Sequence, residues 1–228
     1  MVQIKPSEHI LILGRTGQGK TFWTKNVLLP ALKRQRNNVL VILDPKNEYE
    51  APYTATSPKD LNGALYGQKR PISKVIRLDV SEPDVSVAEE YLRAGWSPFR
   101  DINPNPKYKP TFGVRFLIED APIFYDSPFA TPPMLKRWVA IGRSHQKTIV
   151  MTSQRMQLIP KTVASQVEHA FIFKLGPYDN KRVIGEYYGD TAYRVVQSLP
   201  KYGYTLISDM YDDPLVFNPY QPKRGQLP

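Results

Sequence analysis

The segment Gly14-Arg15-Thr16-Gly17-Gln18-Gly19-Lys20-Thr21 places three glycines, a lysine and two hydroxyls within eight residues. Glycines let a backbone curl with its amide hydrogens turned inward. A helix starting at Lys20 adds its positive end to the same cradle. In that setting the lysine reaches the outer phosphates of a nucleoside triphosphate, and the Thr21 hydroxyl is a ligand for Mg²⁺. Gly14, Arg15, Thr16, Gly17, Gln18, Gly19, Lys20, Thr21 and the adjoining Phe22 are therefore the candidate nucleotide-binding residues. A plain glycine turn capping a helix is the alternative. The complete motif, with an apolar strand before it and a helix after it, argues against that alternative.

A second group of chemically capable residues ends the run Arg115-Phe116-Leu117-Ile118-Glu119-Asp120. An apolar strand that closes on two carboxylates suits the sheet edge where a triphosphate and its metal lie: one carboxylate holds Mg²⁺ and the other orients and deprotonates the attacking water. By position, Glu119 is assigned to the metal with Thr21, and Asp120 to the water. Many ATPases carry the aspartate first, and here the order is reversed. A third group is Thr152-Ser153-Gln154-Arg155, at the end of another apolar run. Gln154 there would contact the γ-phosphate or the water and report hydrolysis, a role that needs a polar, uncharged side chain. A strand-end glutamine with ordinary hydrogen bonds is an equal reading of that position.

These groups need elements to carry them. Apolar runs read as strands at Ile10–Leu13, Val39–Leu43, Lys74–Leu78, Val114–Ile118, Thr148–Thr152 and Ala170–Leu175, with a closing pair at Tyr204–Ser208 and Leu215–Asn218. Helical patterns lie at Lys20–Gln35, Val85–Ala94, Pro133–Arg143, Asn180–Tyr188 and Ala192–Leu199. Tyr49–Ser73 is rich in turn formers and reads as loop with one short helix at Pro58–Tyr66. Alternation of strands with helices predicts an α/β fold with a mainly parallel central sheet flanked by helices and a short C-terminal β-hairpin, and with the phosphate loop it resembles the RecA-like P-loop ATPases.

The composition fits this. The 228 residues are 41% hydrophobic and 23% charged, enough for one generous domain, expected over 1–213 with a proline-rich tail at 214–228. The 22 prolines cluster in Ser97–Pro110, Ser127–Pro133 and Asp213–Pro228. There is no cysteine, so disulfide frameworks and thiolate metal sites are excluded, and a cytoplasmic setting is the expectation. No apolar run approaches the roughly 20 residues of a membrane-spanning helix. The net charge of +10 points to a polyanionic partner. The Lys and Arg pairs are scattered along the chain, and most read as solvated surface.

Together with the phosphate loop and the acidic strand, Val39–Glu50 (VLVILDPKNEYE) and Thr152–Leu175 (TSQRMQLIPKTVASQVEHAFIFKL) resemble the HerA/FtsK superfamily of ring-forming, DNA-pumping ATPases. The likeness covers most of Ile10–Leu175. Because the phosphate loop begins at residue 14, the chain looks like a bare motor, similar to the genome-packaging ATPases of membrane-containing icosahedral viruses such as tectiviruses. The resemblance implies a homo-oligomeric ring with ATP at each subunit interface, Mg²⁺ as cofactor, and non-sequence-specific double-stranded DNA as the track. It also implies an arginine supplied by the neighbour, with Arg143 the first candidate and Arg155 the second. Asp44 and Glu48 would lie near the subunit edge, or act simply as turn residues around Pro45. Capsid or vertex proteins are further expected partners, and the host cytoplasm or a packaging vertex the expected location. The DNA-contacting candidates are the Asp101–Thr111 loop, with Lys107, Tyr108 and Lys109, and the segment before the phosphate loop.

Other classes stay open. A cellular HerA/FtsK-like pump would share every motif. A small-molecule kinase would use the phosphate loop but not the Thr152–Arg155 strand end. A nucleotide-dependent assembly protein would bind ATP tightly and turn it over slowly. A switch GTPase needs the guanine-selective N-K-x-D, and Asp179-Asn180-Lys181-Arg182 lacks its final aspartate.

Overall fold

Strands that are apolar at every position, without alternation, are those covered on both faces of a sheet. The computed structural model, which describes residues 4–68, 70–96, 112–176 and 181–218, shows this arrangement. Its strands are β1 (Ile10–Leu13), β2 (Asn38–Leu43), β3 (Tyr53–Ala55), β4 (Val75–Leu78), β5 (Gly113–Ile118), β6 (Lys147–Ser153), β7 (His169–Phe173), β8 (Tyr204–Ser208) and β9 (Leu215–Phe217). They form one sheet in the order β3-β4-β2-β5-β6-β1-β7-β8-β9. Every pairing from β3 through β7 is parallel, and β8 and β9 close the sheet in antiparallel fashion. The α/β fold and its C-terminal hairpin are as the sequence predicts. β6 separates the phosphate-loop strand β1 from the acidic strand β5.

One helical run covers one face of the sheet. It comprises α1 (Lys20–Trp23), a π-helical turn (Thr24–Leu28) and α2 (Leu29–Lys33). Trp23, Leu28, Leu29 and Leu32 pack on Ile10, Ile12, Leu40, Ile42, Leu117 and Phe171. The sequence predicts a single α-helix over Lys20–Gln35, and Pro30 is the reason for the difference. Proline has no N–H to give and its ring crowds the carbonyl four residues back. The ladder slips by one residue just before it, with Leu29 N–H reaching Thr24 O. The other face carries α3 (Pro58–Tyr66), α4 (Val85–Gly95), α5 (Pro133–Ile141), α6 (Lys161–Ala164) and α7 (Lys181–Ser198).

Helix starts follow local chemistry. Ser57 Oγ accepts from Asp60 N at 3.1 Å and Asp84 Oδ1 from Val87 N at 2.9 Å, two side-chain N-caps. The two helices expected at Asn180–Tyr188 and Ala192–Leu199 form one run broken by non-helical Gly189, at φ 82°. Edge strand β3 falls within the stretch read as loop, since three residues are too few to show a period. The first residues of the expected tail, Leu215–Phe217, belong to the sheet as β9, and residues 219–228 lie outside the described residues.

At the sheet edge where the parallel strands begin, a buried polar cluster clamps the segment that leads into β1. Arg115, almost fully buried on β5, donates through Nε to Thr148 Oγ1 at 2.9 Å and through Nη2 to the carbonyls of Lys5, Pro6 and Glu8 at 2.8, 3.0 and 3.2 Å. His169 bridges Glu8 Oε2 at 2.8 Å and Ser208 Oγ at 2.9 Å. His9 Nδ1 accepts from Ile149 N at 3.0 Å, and Glu168 Oε2 accepts from His9 N at 2.6 Å. Burial, then the charges of Arg143 and Arg115, lower the His9 pKa to about 4, against a smaller opposing contribution from the Val139 backbone.

The folded His9 therefore takes up its proton at lower pH than the unfolded one. Its stabilising effect is complete above 6.5 and is lost as pH falls towards 4. Over that window the wild-type chain should lose about 3 kcal/mol through His9. Urea unfolding at several pH values checks this: His9→Gln should flatten that part of the profile.

Candidate active site

The strands β1, β2, β5 and β6 are parallel and adjacent, so their C-terminal ends share one edge of the sheet. The loop leaving β1 is tied to its neighbours by backbone: Gly14 N donates to Ser153 O at 3.2 Å and Arg15 N to Lys174 O at 3.2 Å. Glycine is required here for two different reasons. A Cβ on Gly14 would stand 2.6 Å from Phe173 Cβ, whereas Gly17 and Gly19 adopt left-handed φ values of 75° and 93°. Lys20, buried at the start of α1, folds back so that Nζ donates to Gly14 O at 2.6 Å. Its pKa is lowered by burial, with Glu119 and Asp120 opposing the shift.

The acidic pair sits opposite. Glu119 is buried, with Oε1 at 3.5 Å from Thr21 Oγ1 and Oε2 accepting from Tyr49 OH at 2.8 Å. Burial raises its pKa, and the hydroxyls of Tyr49 and Thr152 and the Lys20 charge pull the other way. Asp120 adopts a left-handed φ of 50°, and its N–H donates to Thr152 Oγ1 at 2.8 Å. A non-glycine residue in that region is an outlier of the kind found at functional sites. Its carboxylate pairs with Lys46, whose ammonium pKa is raised chiefly by that hydrogen bond. Gln154 Oε1 accepts from Thr16 Oγ1 at 2.8 Å, joining the end of β6 to the loop.

The turn after β2 supplies residues that sequence reasoning did not place in the site. Asp44 is buried and accepts from Tyr49 N at 2.8 Å and Lys46 N at 3.3 Å. It is a turn residue, and the turn it shapes delivers Tyr49 to Glu119 and Lys46 to Asp120. Both lie in Val39–Glu50, but nothing local shows that they face a strand some 70 positions on. Glu48 is exposed. Phe22, on α1, is 72% exposed.

The candidate arginines diverge. Arg155 follows Gln154 at the edge bearing the loop. Arg143 precedes β6, at the opposite edge of the sheet, and pairs with Glu168. The chain's own Arg143 is thus not part of this cluster. The Asp101–Thr111 loop lies outside the described residues, and the segment before the phosphate loop is held at the strand starts, away from the site.

Residues 4–101 match the family model described as the central domain of helicase HerA. Over those residues the chain is similar to that domain. The match takes in the phosphate loop and the turn after β2, and ends before Glu119. The chain also superposes on the genome-packaging NTPase B204 of Sulfolobus turreted icosahedral virus 2 in complex with AMPPCP. The TM-score is 0.75 at 16% identity, over 95% of this chain and 100% of that one. The ATP-gammaS complex of the same protein gives 0.76 at 16% identity, covering 95% and 99%. VirB4 of Thermoanaerobacter pseudethanolicus gives 0.58 at 11% identity, covering 95% and 93%. At such identities the likeness establishes a shared P-loop ATPase fold. No curated protein sequence matches the chain significantly.

The two kinds of glycine requirement make separable predictions. Gly14→Ala forces a methyl against Phe173 and should cost about 1–3 kcal/mol. Gly17→Ala has nothing within 4 Å and meets only the positive φ, which costs about 1–2 kcal/mol. Asparagine, which tolerates a left-handed φ, should lose less than alanine at Gly17 but no less than alanine at Gly14, where its larger side chain meets the same Phe173 Cβ, measured as urea midpoints.

Proposed function

We propose that this chain is the ATP-hydrolysing subunit of a motor that moves double-stranded DNA, with viral genome packaging its best-supported role. The observation that carries this reading is the convergence of Lys20, Thr21, Glu119, Asp120 and Gln154 at one sheet edge. The packaging role is supported by likeness to B204, which is described as a genome packaging NTPase. The net charge of +10 supports a phosphate-backbone track.

In this reading the loop amides and Lys20 bind the outer phosphates of ATP. Thr21 Oγ1 and Glu119 Oε1, a hydroxyl and a carboxylate oxygen 3.5 Å apart, would hold Mg²⁺. Among the described residues no group of three or more His, Asp and Glu side chains forms a metal site, so phosphate oxygens would complete the shell. The ion would neutralise charge building on the phosphoryl oxygens. Asp120 accepts the proton of the water that attacks the γ-phosphorus, and ADP leaves with the bond it breaks. Gln154, already bonded to Thr16, transmits the loss of the γ-phosphate to β6. Tyr49 holds Glu119 in place.

The contact of Lys46 with Asp120 means that the water-activating carboxylate has to be released before it can act. That favours slow turnover by an isolated subunit, and it also supports a second reading, an assembly protein that uses ATP to set its oligomeric state. A ring of copies is the natural assembly: Arg143, at the far edge from its own loop, can complete only a neighbour's site, and Arg155 is the alternative finger. Capsid or vertex proteins are proposed partners and the host cytoplasm the proposed location. Among the described residues no helix is long and apolar enough to cross a membrane.

ATP hydrolysis with and without double-stranded DNA, read alongside solution mass, tests the reading. Expected are an oligomer, stimulation by DNA, and a steep loss of that stimulation between about 50 and 200 mM salt. Glu119→Gln and Asp120→Asn should each lower kcat by about 100-fold or more. Wild-type rates in both variants would overturn the assignment; salt-insensitive activity would remove the DNA track.

A further inference from the structure

A strained aromatic residue, Tyr202, rests on the phosphate loop. β8 is antiparallel to β7, so it begins at the edge where β1 and β7 end, and the turn leading into it, Pro200–Gly203, comes to lie beside the loop. Gly203 N donates to Pro200 O at 3.0 Å and closes that turn. Tyr202, its third residue, has φ 65°. A positive φ at this position is ordinarily met by glycine or asparagine. For a bulky side chain it is a genuine outlier. Glycine stands at the very next position, so a one-residue shift would remove the strain. The observed register instead keeps the tyrosine ring where it is.

The ring lies over the loop. A Cβ built on Gly19 would be 3.3 Å from Tyr202 Cδ1. Gly19 thus serves the loop twice, through its left-handed φ and by leaving room for this ring. Tyr202 remains 42% exposed, and Lys201 Nζ lies 5.0 Å from the ring centroid. Phe22, three residues beyond Gly19 on α1, is a second exposed aromatic residue of this segment. A triphosphate held by the loop carries its base on a short ribose tether, past the residues that begin α1. Exposed aromatic faces there match a flat, weakly hydrated heterocycle, and stacking needs no hydrogen-bond code.

We propose that Tyr202 forms the nucleobase subsite of the phosphate loop. The inference rests on the nucleotide reading above. Tyr202 is a binding residue in this proposal, and its strained backbone is what sets the ring over Gly19.

Binding of ATP and of inorganic tripolyphosphate, which has no base, by the full chain tests the subsite. Tyr202→Gly removes the ring while relieving the positive φ, so its thermal midpoint should not fall. It should weaken ATP binding about tenfold, or about 1.4 kcal/mol, and leave tripolyphosphate binding unchanged. Tyr202→Phe, which keeps the stacking face, should retain both affinities. Unaltered ATP affinity in Tyr202→Gly would overturn the subsite, as would equal loss of ATP and tripolyphosphate, which would make the ring a prop for the loop. A change of solution mass with unaltered ATP affinity would assign Tyr202 to a contact between copies instead. Wild-type chain that bound neither compound would remove the nucleotide reading itself, and the subsite with it.

Discussion

Lys20 and Glu119 are buried near one another at a single edge of the sheet, and most of the site depends on keeping both charged there. Burial alone pushes each towards its neutral form, lowering the lysine's pKa and raising the glutamate's. Each opposes the shift in the other through its field. The remaining polar contacts add to that opposition, since the Gly14 carbonyl receives the ammonium and the hydroxyls of Tyr49 and Thr21 approach the carboxylate. A low-dielectric setting strengthens such fixed groups and makes any one of them costly to lose. It is the setting in which a charged phosphate would be held most firmly.

The two edges of the sheet divide the polar chemistry between them. Where the strands begin, Arg115, His169, Glu8 and Glu168 bond to one another or to nearby backbone groups, leaving Arg115 Nη1 and His9 Nε2 without hydrogen-bond partners among the described residues, and the result is a clamp on the leading segment. Where they end, the groups are connected more loosely and across elements: Thr16 to Gln154, Lys46 to Asp120, Tyr49 to Glu119. One of these links joins the loop to the end of β6, and two join the acidic strand to the turn after β2. A change at the phosphates would therefore be felt in the turn after β2 and at the end of β6 together. Non-glycine residues with positive φ occur at both edges, Gln146 just before β6 and Asn47, Asp120 and Tyr202 on the side of the site.

The helical run behind the loop shows how local and global demands meet. Trp23 and Leu28 must face the sheet, while Pro30 forbids a regular ladder. The π turn at Thr24–Leu28 reconciles them, and the helix keeps its apolar stripe on β1, β2 and β7 in spite of the proline.

Part of this molecule is decided among neighbouring residues, and that part is legible along the chain. The phosphate loop is contiguous and its glycines answer to backbone geometry. The buried strands show as unbroken apolar runs, and the N-caps at Ser57 and Asp84 are single residues with local partners. The order of strands, with β6 between β1 and β5, was not legible in this way. Which side chains meet across the site is settled only by folding. Thr16 and Gln154 are 138 positions apart, Lys46 and Asp120 are 74, and no periodicity relates them. The left-handed Asp120, the Lys46 that covers it and the tyrosine set on Gly19 arise only after the sheet has closed, since hydrogen bonds and Coulomb forces act over a few ångströms of space and take no account of distance along the chain.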